Sequence, residues 1–415
     1  MKKVALSLAG ALAAVAFAPE AAAAPAFARQ TGMACSACHA QHFPVLNGFG
    51  RAFKAGGYTM IGGQEKIEGD HISLPSVLNA SIIMKIRYQK DNTTAPDGSG
   101  TKLPQTKGSG ELQFFDEFAL MMGGRVAENV GFLLEGQMID PSGPFAAGFK
   151  MPFVFDMGGA KLSVVPFETD ALGAAYGYEL SSGGIMRANR WSEHRLETSA
   201  VQYNSNIGGA ATGIAFAAQN DMGWINVTRY AAVQGGGSDL ASTFVRLAVT
   251  PTIADWAIVA GVGNMSGSSF DGGLEVATEQ TFVDFQAHGE VGGMEAGVYA
   301  QYATAPVNTA MTNVYNITQS AGVTIDGVTD RKAMTIGADF TVIPHVLSLG
   351  AAYRMAENGL AANVNGDDAI TLNVVYDLHQ NVALHAIYST YSGSYYDANP
   401  TKATNLLTLM LEAAW

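Results

Sequence analysis

Toward the end of the chain every second residue is apolar. Leu407, Leu409, Leu411, Ala413 and Trp415 fall on one face of an extended segment, opposite Thr408, Met410, Glu412 and Ala414. Successive side chains of a strand point to opposite faces, so this period of two predicts a strand with one lipid-like face and one mixed face. The period recurs upstream. Ile370, Leu372, Val374 and Tyr376 pass through a short turn at 378–381 into Val382, Leu384, Ala386 and Tyr388. Met334, Ile336, Ala338, Phe340 and Val342 turn at Pro344-His345 into Leu347, Leu349, Ala351, Tyr353 and Met355. Asp339, Arg354 and His385 fall on the polar faces of these hairpins, and further tight turns are predicted at 127–129, 251–255 and 289–293.

The chain is 48% hydrophobic, which suits a large soluble core or a membrane protein equally. After the first residues no apolar run approaches the roughly 20 residues of a spanning helix, so a helical membrane protein is excluded. With 48 glycines, 15 tyrosines and 20 phenylalanines, the alternation indicates an all-β chain. Its short turns alternate with long polar connections at 92–110, 264–280, 303–331, 356–367 and 392–402. Short turns on one side and long loops on the other are the layout of an outer-membrane barrel. The fold class is therefore mainly β, a transmembrane antiparallel β-barrel of about 16 strands. Eleven strands are counted between about Ala210 and Trp415, three between Asn79 and Met138, and two are assigned to the ambiguous stretch 150–203. A terminal aromatic preceded by this alternation also resembles the signal by which bacterial outer-membrane barrels are recognised for insertion.

At the other end Lys2-Lys3, the apolar run 4–17 and the small residues 21–24 form an expected signal peptide over 1–23, cleaved before Ala24. Cys35 and Cys38, the only cysteines, are separated by two residues and followed by His39. That spacing predicts c-type haem attachment: each thiol adds to one vinyl group, and His39 lies beneath the iron as proximal ligand. A zinc site would need a second cysteine pair, and a thioredoxin-like pair would need a βαβ surround. The segment 24–70 is too short to bury its own core. It carries one predicted helix, starting near Phe43-Pro44 and ending at Gly56-Gly57, with Leu46, Phe49 and Phe53 on one face. Phe43, Leu46, Phe49 and Phe53 are candidates for packing on the porphyrin, against the plainer reading of ordinary core. The domains are then 1–23, 24–70 and a barrel over 71–415. A barrel of this size has room for a plug, so the haem segment is predicted to sit in the lumen; a separate periplasmic domain is the alternative. His71, His194, His288, His345, His379 and His385 show no metal-ligand spacing.

The net charge is −13, and about −14 once Lys2, Lys3 and Glu20 are removed, which argues against nucleic acid as a partner. Acidic pairs such as Asp271 with Glu275, and Asp367-Asp368, would draw cations to the loops.

The run Phe27-Ala28-Arg29-Gln30-Thr31-Gly32-Met33 leads into Cys35 to His39, followed by His42-Phe43-Pro44, Leu46-Asn47, Phe49-Gly50-Arg51, Phe53-Lys54 and Gly57-Tyr58. It resembles the outer-membrane monohaem porin-cytochrome c fusions of iron-oxidising bacteria. Motif-level similarity covers about the first 60 residues; the remainder agrees in pattern alone. The resemblance implies an Fe(II):cytochrome c-type oxidoreductase of the outer membrane, with one covalent c-type haem. Electrons would pass from extracellular Fe(II) to a periplasmic c-type cytochrome or another soluble carrier. For the sixth iron ligand Met60 is favoured, because it has enough chain to reach the opposite haem face and methionine raises the potential. His42 is too close to His39 to cross the ring, Met33 is a further candidate, and a barrel residue would also serve. The rival functions are a passive or redox-gated porin with a haem-bearing plug, and a conduit for a donor other than iron.

Overall fold

The computed structural model describes residues 26–415 apart from 42–44, 96–98, 103–105, 140–144, 182–192, 206–208, 236–238, 272 and 321–322. The expected signal peptide, His42 and Phe43 lie outside the described residues.

Sixteen antiparallel strands close into a barrel. The first eight are β1 Ala80–Asp91, β2 Glu111–Ala127, β3 Val130–Gln137, β4 Ala146–Lys150 continued by Phe153–Asp156, β5 Lys161–Thr169, β6 Ala211–Asn220, β7 Gly223–Ala231, and β8 Ser242–Val249 continued by Thr252–Ile253. The others are β9 Trp256–Ser266, β10 Gln280–Val291, β11 Met294–Ala305, β12 Arg331–Ile343, β13 Leu347–Asn358, β14 Asp368–His379, β15 Val382–Ser392 and β16 Asn405–Ala414. The two pieces of β4 lie between the same neighbours, and both pieces of β8 pair with β9, so each counts once. Closure is made by β16 on β1, with Leu409 opposite Tyr88 and Leu411 opposite Ile86. Trp415 adds two backbone hydrogen bonds to Ile82, at 2.8 and 3.0 Å.

The wall is inverted relative to a soluble protein. On β7, β8, β10 and β14 the exposed residues include Ile225, Leu247, Val283, Phe285, Ile370 and Leu372. Their alternate neighbours Asn226, Arg246, Asp284, Gln286, Thr371 and Asn373 are buried. Large apolar side chains outside and polar ones inside are stable only where the outer face meets hydrocarbon, which makes this a bilayer-spanning barrel. Among the described residues no helix is long and apolar enough to cross a membrane.

The short turns and long loops fall at opposite ends, as expected. Two of the predicted turns are tighter than the sequence suggested: β8 and β10 run on, leaving Ala254-Asp255 and Gly292-Gly293 as two-residue links. All four of these residues have positive φ, the geometry whose twist matches paired strands. Two of the long connections carry hairpins of their own, Ser268–Asp271 with Leu274–Ala277 and Ile317–Ser320 with Val323–Asp326.

The boundary expected at 70/71 falls within a hairpin of Lys66–Gly69 and Ile72–Pro75, so the barrel begins at Ala80 and not at residue 71. The stretch after β5 leaves the wall and packs against its inner face. It carries α3 Arg195–Thr198 and α4 Ala200–Ser205. Asn226 on β7 donates to the Tyr178 carbonyl at 3.0 Å, and Arg246 on β8 reaches Glu179 at 3.1 Å. On the far side Ser199 donates to Gln301 of β11 at 3.0 Å, and His194 contacts Ser389 of β15 at 2.6 Å and Thr408 of β16 at 2.7 Å.

Candidate functional site

The cysteine motif is a single 3-10 turn, Cys35–Ala37. The Cys35 carbonyl accepts from the amides of Cys38 at 3.0 Å and His39 at 2.9 Å, so one turn gathers both thiols and the imidazole-bearing residue. Both thiols are unpaired and half-buried. Burial pushes the Cys35 thiol above its ordinary range, and burial beside Cys35 does the same for Cys38, so both are neutral thiols near pH 7. After the turn the chain doubles back: His39 and Leu46 form an antiparallel bridge, and the Ala40 amide donates to Val45 at 2.8 Å.

The adjoining helix, α2, spans Gly48–Ala55. It starts later than Pro44 because Asn47 caps it, its side-chain oxygen accepting from the Gly50 amide at 2.9 Å. The amide group of the same side chain donates to the Ala37 carbonyl at 3.1 Å, tying the helix to the cysteine turn. Gly50 lets the helix close on that turn, because a Cβ there would overlap the Cys38 carbonyl. A six-residue helix, α1 Ala26–Thr31, precedes the turn and was not anticipated.

The predicted packing residues divide. Leu46 is half-buried against Gly50. Phe53 is buried in a cluster with Phe27 and Tyr58, at centroid distances of 5.2 and 5.8 Å, while Phe27 and Tyr58 stack at 4.9 Å. That is the ordinary-core reading of Phe53. Phe49 is 41% exposed and, with Phe53 and Met60, lines a cavity of about 450 Å³. The lining of this cavity includes Arg125 and Lys161 but not Cys35, Cys38 or His39. Met60 thus shares this cavity with Phe49 and Phe53; Met33, two residues before Cys35 in sequence, is 37% exposed.

The segment is anchored at its two ends to different walls. Gln30 is fully buried; its amide group donates to the carbonyls of Tyr58 at 2.6 Å and Met60 at 2.8 Å, and its oxygen accepts from the Arg125 amide of β2 at 3.1 Å. Gly131 of β3 receives the Gly57 carbonyl where a Cβ would overlap it. At the other end the Gln41 amide donates to Glu295 of β11 at 3.0 Å, and the Gln41 side chain to the Asp339 carbonyl of β12 at 3.5 Å. Val45 packs on Tyr299 of β11. In a ring of sixteen, eight strands lie between β2 and β11 one way and six the other, so the segment touches nearly opposite walls.

The donor set suits covalent haem: two unpaired thiols and an imidazole are presented by one turn whose backbone is held from both sides. Among the described residues no group of three or more His, Cys, Asp or Glu could hold a metal ion. Asp367, expected as a cation-attracting loop acid, is engaged by Arg354 at 2.5 Å and by the hydroxyls of Tyr203 at 2.8 Å and Tyr396 at 3.0 Å. His385 does face inward, 3.2 Å from Glu412.

Fold and polarity define a porin-like membrane barrel. Solved structures similar to it include the OmpT outer-membrane protein of Vibrio cholerae, at 13% identity and TM-score 0.44 over 85% of this chain and 100% of that one. A porin refined at 1.8 Å matches at 12% identity and TM-score 0.49 over 82% and 100%, and a BenF-like porin from Pseudomonas fluorescens Pf-5 at 13% and 0.43 over 81% and 98%. No protein-family model and no curated protein matches the sequence.

Proposed function

We propose that this protein is an outer-membrane electron-transfer conduit, with a c-type haem on an N-terminal plug, taking electrons from extracellular Fe(II) and delivering them to a soluble periplasmic carrier. Cys35 and Cys38 would hold the haem through two thioether sulfurs and His39 would offer an imidazole nitrogen to its iron. The haem, when bound, supplies one-electron redox chemistry: each Fe(II) becomes Fe(III) as one electron passes to one equivalent of carrier.

The observation that carries the reading is the reach of the segment between β2 and β11. A single redox centre connects two compartments only if it lies within the membrane-spanning body. Gln30 and Gln41 hold the cysteine turn between nearly opposite walls. The inward chain around α3 and α4 occupies further lumen, contacting β7 and β8 on one side and β11, β15 and β16 on the other. Both obstruct a freely conducting bore, which disfavours the passive porin.

The test is stopped-flow visible spectroscopy of the detergent-folded, oxidised protein mixed anaerobically with Fe(II), with Cys38→Ala as control. Reduced c-haem bands appearing within the mixing experiment support the conduit. A haem-loaded protein that stays oxidised with Fe(II) across pH, yet is reduced by other donors, removes iron as the donor.

A further inference from the structure

Although the chain carries a net charge of −13, residues 21–64 contain Arg29, Arg51 and Lys54 and no Asp or Glu. The basic excess continues in the barrel at the short-turn end, where Arg125 precedes the β2–β3 turn and Lys161 opens β5. Both line the 450 Å³ cavity with Lys66, Phe49 and Met60. Lys66 is paired with Glu68 at 2.6 Å. Arg125 donates to the Ser73 carbonyl at 3.1 Å and hydroxyl at 2.5 Å, and that hydroxyl in turn donates to Glu68 at 3.2 Å, so Glu68 faces both Lys66 and Arg125. Lys161 makes no ion pair among the described residues. Asp156, opposite it in register, instead accepts from the Gly158 amide at 2.8 Å. The Lys161 ammonium stands 4.0 Å from where a Gly56 Cβ would be, over the C-terminal end of α2. Other acids at this end are Glu128, Asp221, Asp255, Glu290 and Asp377 in or beside the short turns, Glu65, Glu68 and Asp70 on the exposed hairpin, and Glu295, which receives the Gln41 amide; none of them lines the cavity.

The same mouth has an exposed aromatic side chain, Phe49. The cavity's edge at Gly62 touches the chain that leads toward the cysteine turn: a Cβ on Gly62 would overlap the Thr31 carbonyl, four residues before Cys35.

We propose that this cationic mouth, centred on Lys161 and Phe49 at the short-turn end, docks the acidic face of a soluble redox protein. An exposed aromatic beside a cavity lined by Lys66, Arg125 and Lys161 and by no acid, on an otherwise acidic molecule, selects a partner of opposite charge, and such complementarity governs encounter rate and its salt dependence. The partner's redox role rests on the electron-transfer reading; the surface does not, so the test measures binding alone.

The full chain in detergent is immobilised, and binding of an acidic plant-type ferredoxin is measured at about 20 and 300 mM salt, spanning Debye lengths of roughly 20 to 6 Å. Basic mitochondrial cytochrome c serves as the opposite-charge probe. Ferredoxin is expected to bind at low salt, and Lys161→Glu with Lys66→Glu to weaken it about tenfold there and little at high salt. Lys161→Glu alone gives part of the effect, and Lys102→Glu on a long loop gives none. Cytochrome c binding is not weakened by the double variant. Unchanged ferredoxin binding in the double variant overturns the proposal, as does an equal loss from Lys102→Glu, which would show general attraction and not a face. If ferredoxin binds as expected while Fe(II) fails to reduce the haem, the donor assignment falls and this surface stands; the reverse pattern removes only the surface.

Discussion

The Asn47 side chain donates to the Ala37 carbonyl at 3.1 Å while accepting from the Gly50 amide at 2.9 Å. One amide group therefore joins the cysteine turn to the start of α2, and the turn's shape depends on the helix cap.

Asn47→Ala removes both bonds and costs about 1 kcal/mol of cap energy. The expected result is a lower fraction of covalently attached haem in a barrel that still folds, read by pyridine haemochrome absorbance per folded protein. Asn47→Asp keeps the acceptor for Gly50 and loses the donor to Ala37, so it should fall between.

Gln30→Leu leaves the Tyr58 and Met60 carbonyls and the Arg125 amide without their side-chain partner. Each buried group stranded this way costs on the order of 1–3 kcal/mol. Limited proteolysis should then cut within the N-terminal segment under conditions where the barrel keeps its folded electrophoretic mobility. Equal resistance of the variant and the parent would show that Gln30 is not the anchor.

Gly131→Ala places a methyl where the Gly57 carbonyl sits, inside the wall of β3. Alanine suits a strand at least as well as glycine, so the wall should persist while the segment shifts away. Planar-bilayer recordings are expected to show higher conductance than the parent.

His194 is buried, and burial holds its pKa below the ordinary value of 6.5, outweighing Glu197 and Glu193, with Lys107 and Arg87 adding to the lowering. The fold thus favours the neutral ring. Its contribution is complete above pH 6.5 and is lost as the pH falls through the lowered folded value. The thermal midpoint of the folded electrophoretic form should drop more between pH 7.5 and 4.5 in the parent than in His194→Gln.

The barrel was legible because lipid and lumen impose opposite demands on alternate residues. Eleven strands counted back from Trp415, three before Met138 and two in the ambiguous stretch are the sixteen found. The ambiguity at 150–203 has two causes. The Met151-Pro152 step breaks β4, and the chain then leaves the wall for the interior, where both faces of residues such as Tyr203 meet protein and no alternation is required. Around the cysteines, the motif and the Gly56 end of α2 could be read from sequence. Asn47 carried a readable cap signal that Pro44 obscured. The roles of Gln30 and Gln41 had no local signature, because their partners on the wall lie 95 residues away for Gln30 and 254 and 298 for Gln41.

Gln41 meets Glu295 and Asp339 across separations of 254 and 298 residues. The strands that receive this end of the segment are synthesised more than 250 residues after it, whereas the two cysteines leave the ribosome near the start. Enzymatic attachment of a haem needs the cysteine turn open to solvent, so it has to precede closure of the barrel. On the haem reading proposed above, biogenesis would acquire an order: cofactor first, wall second, docking last.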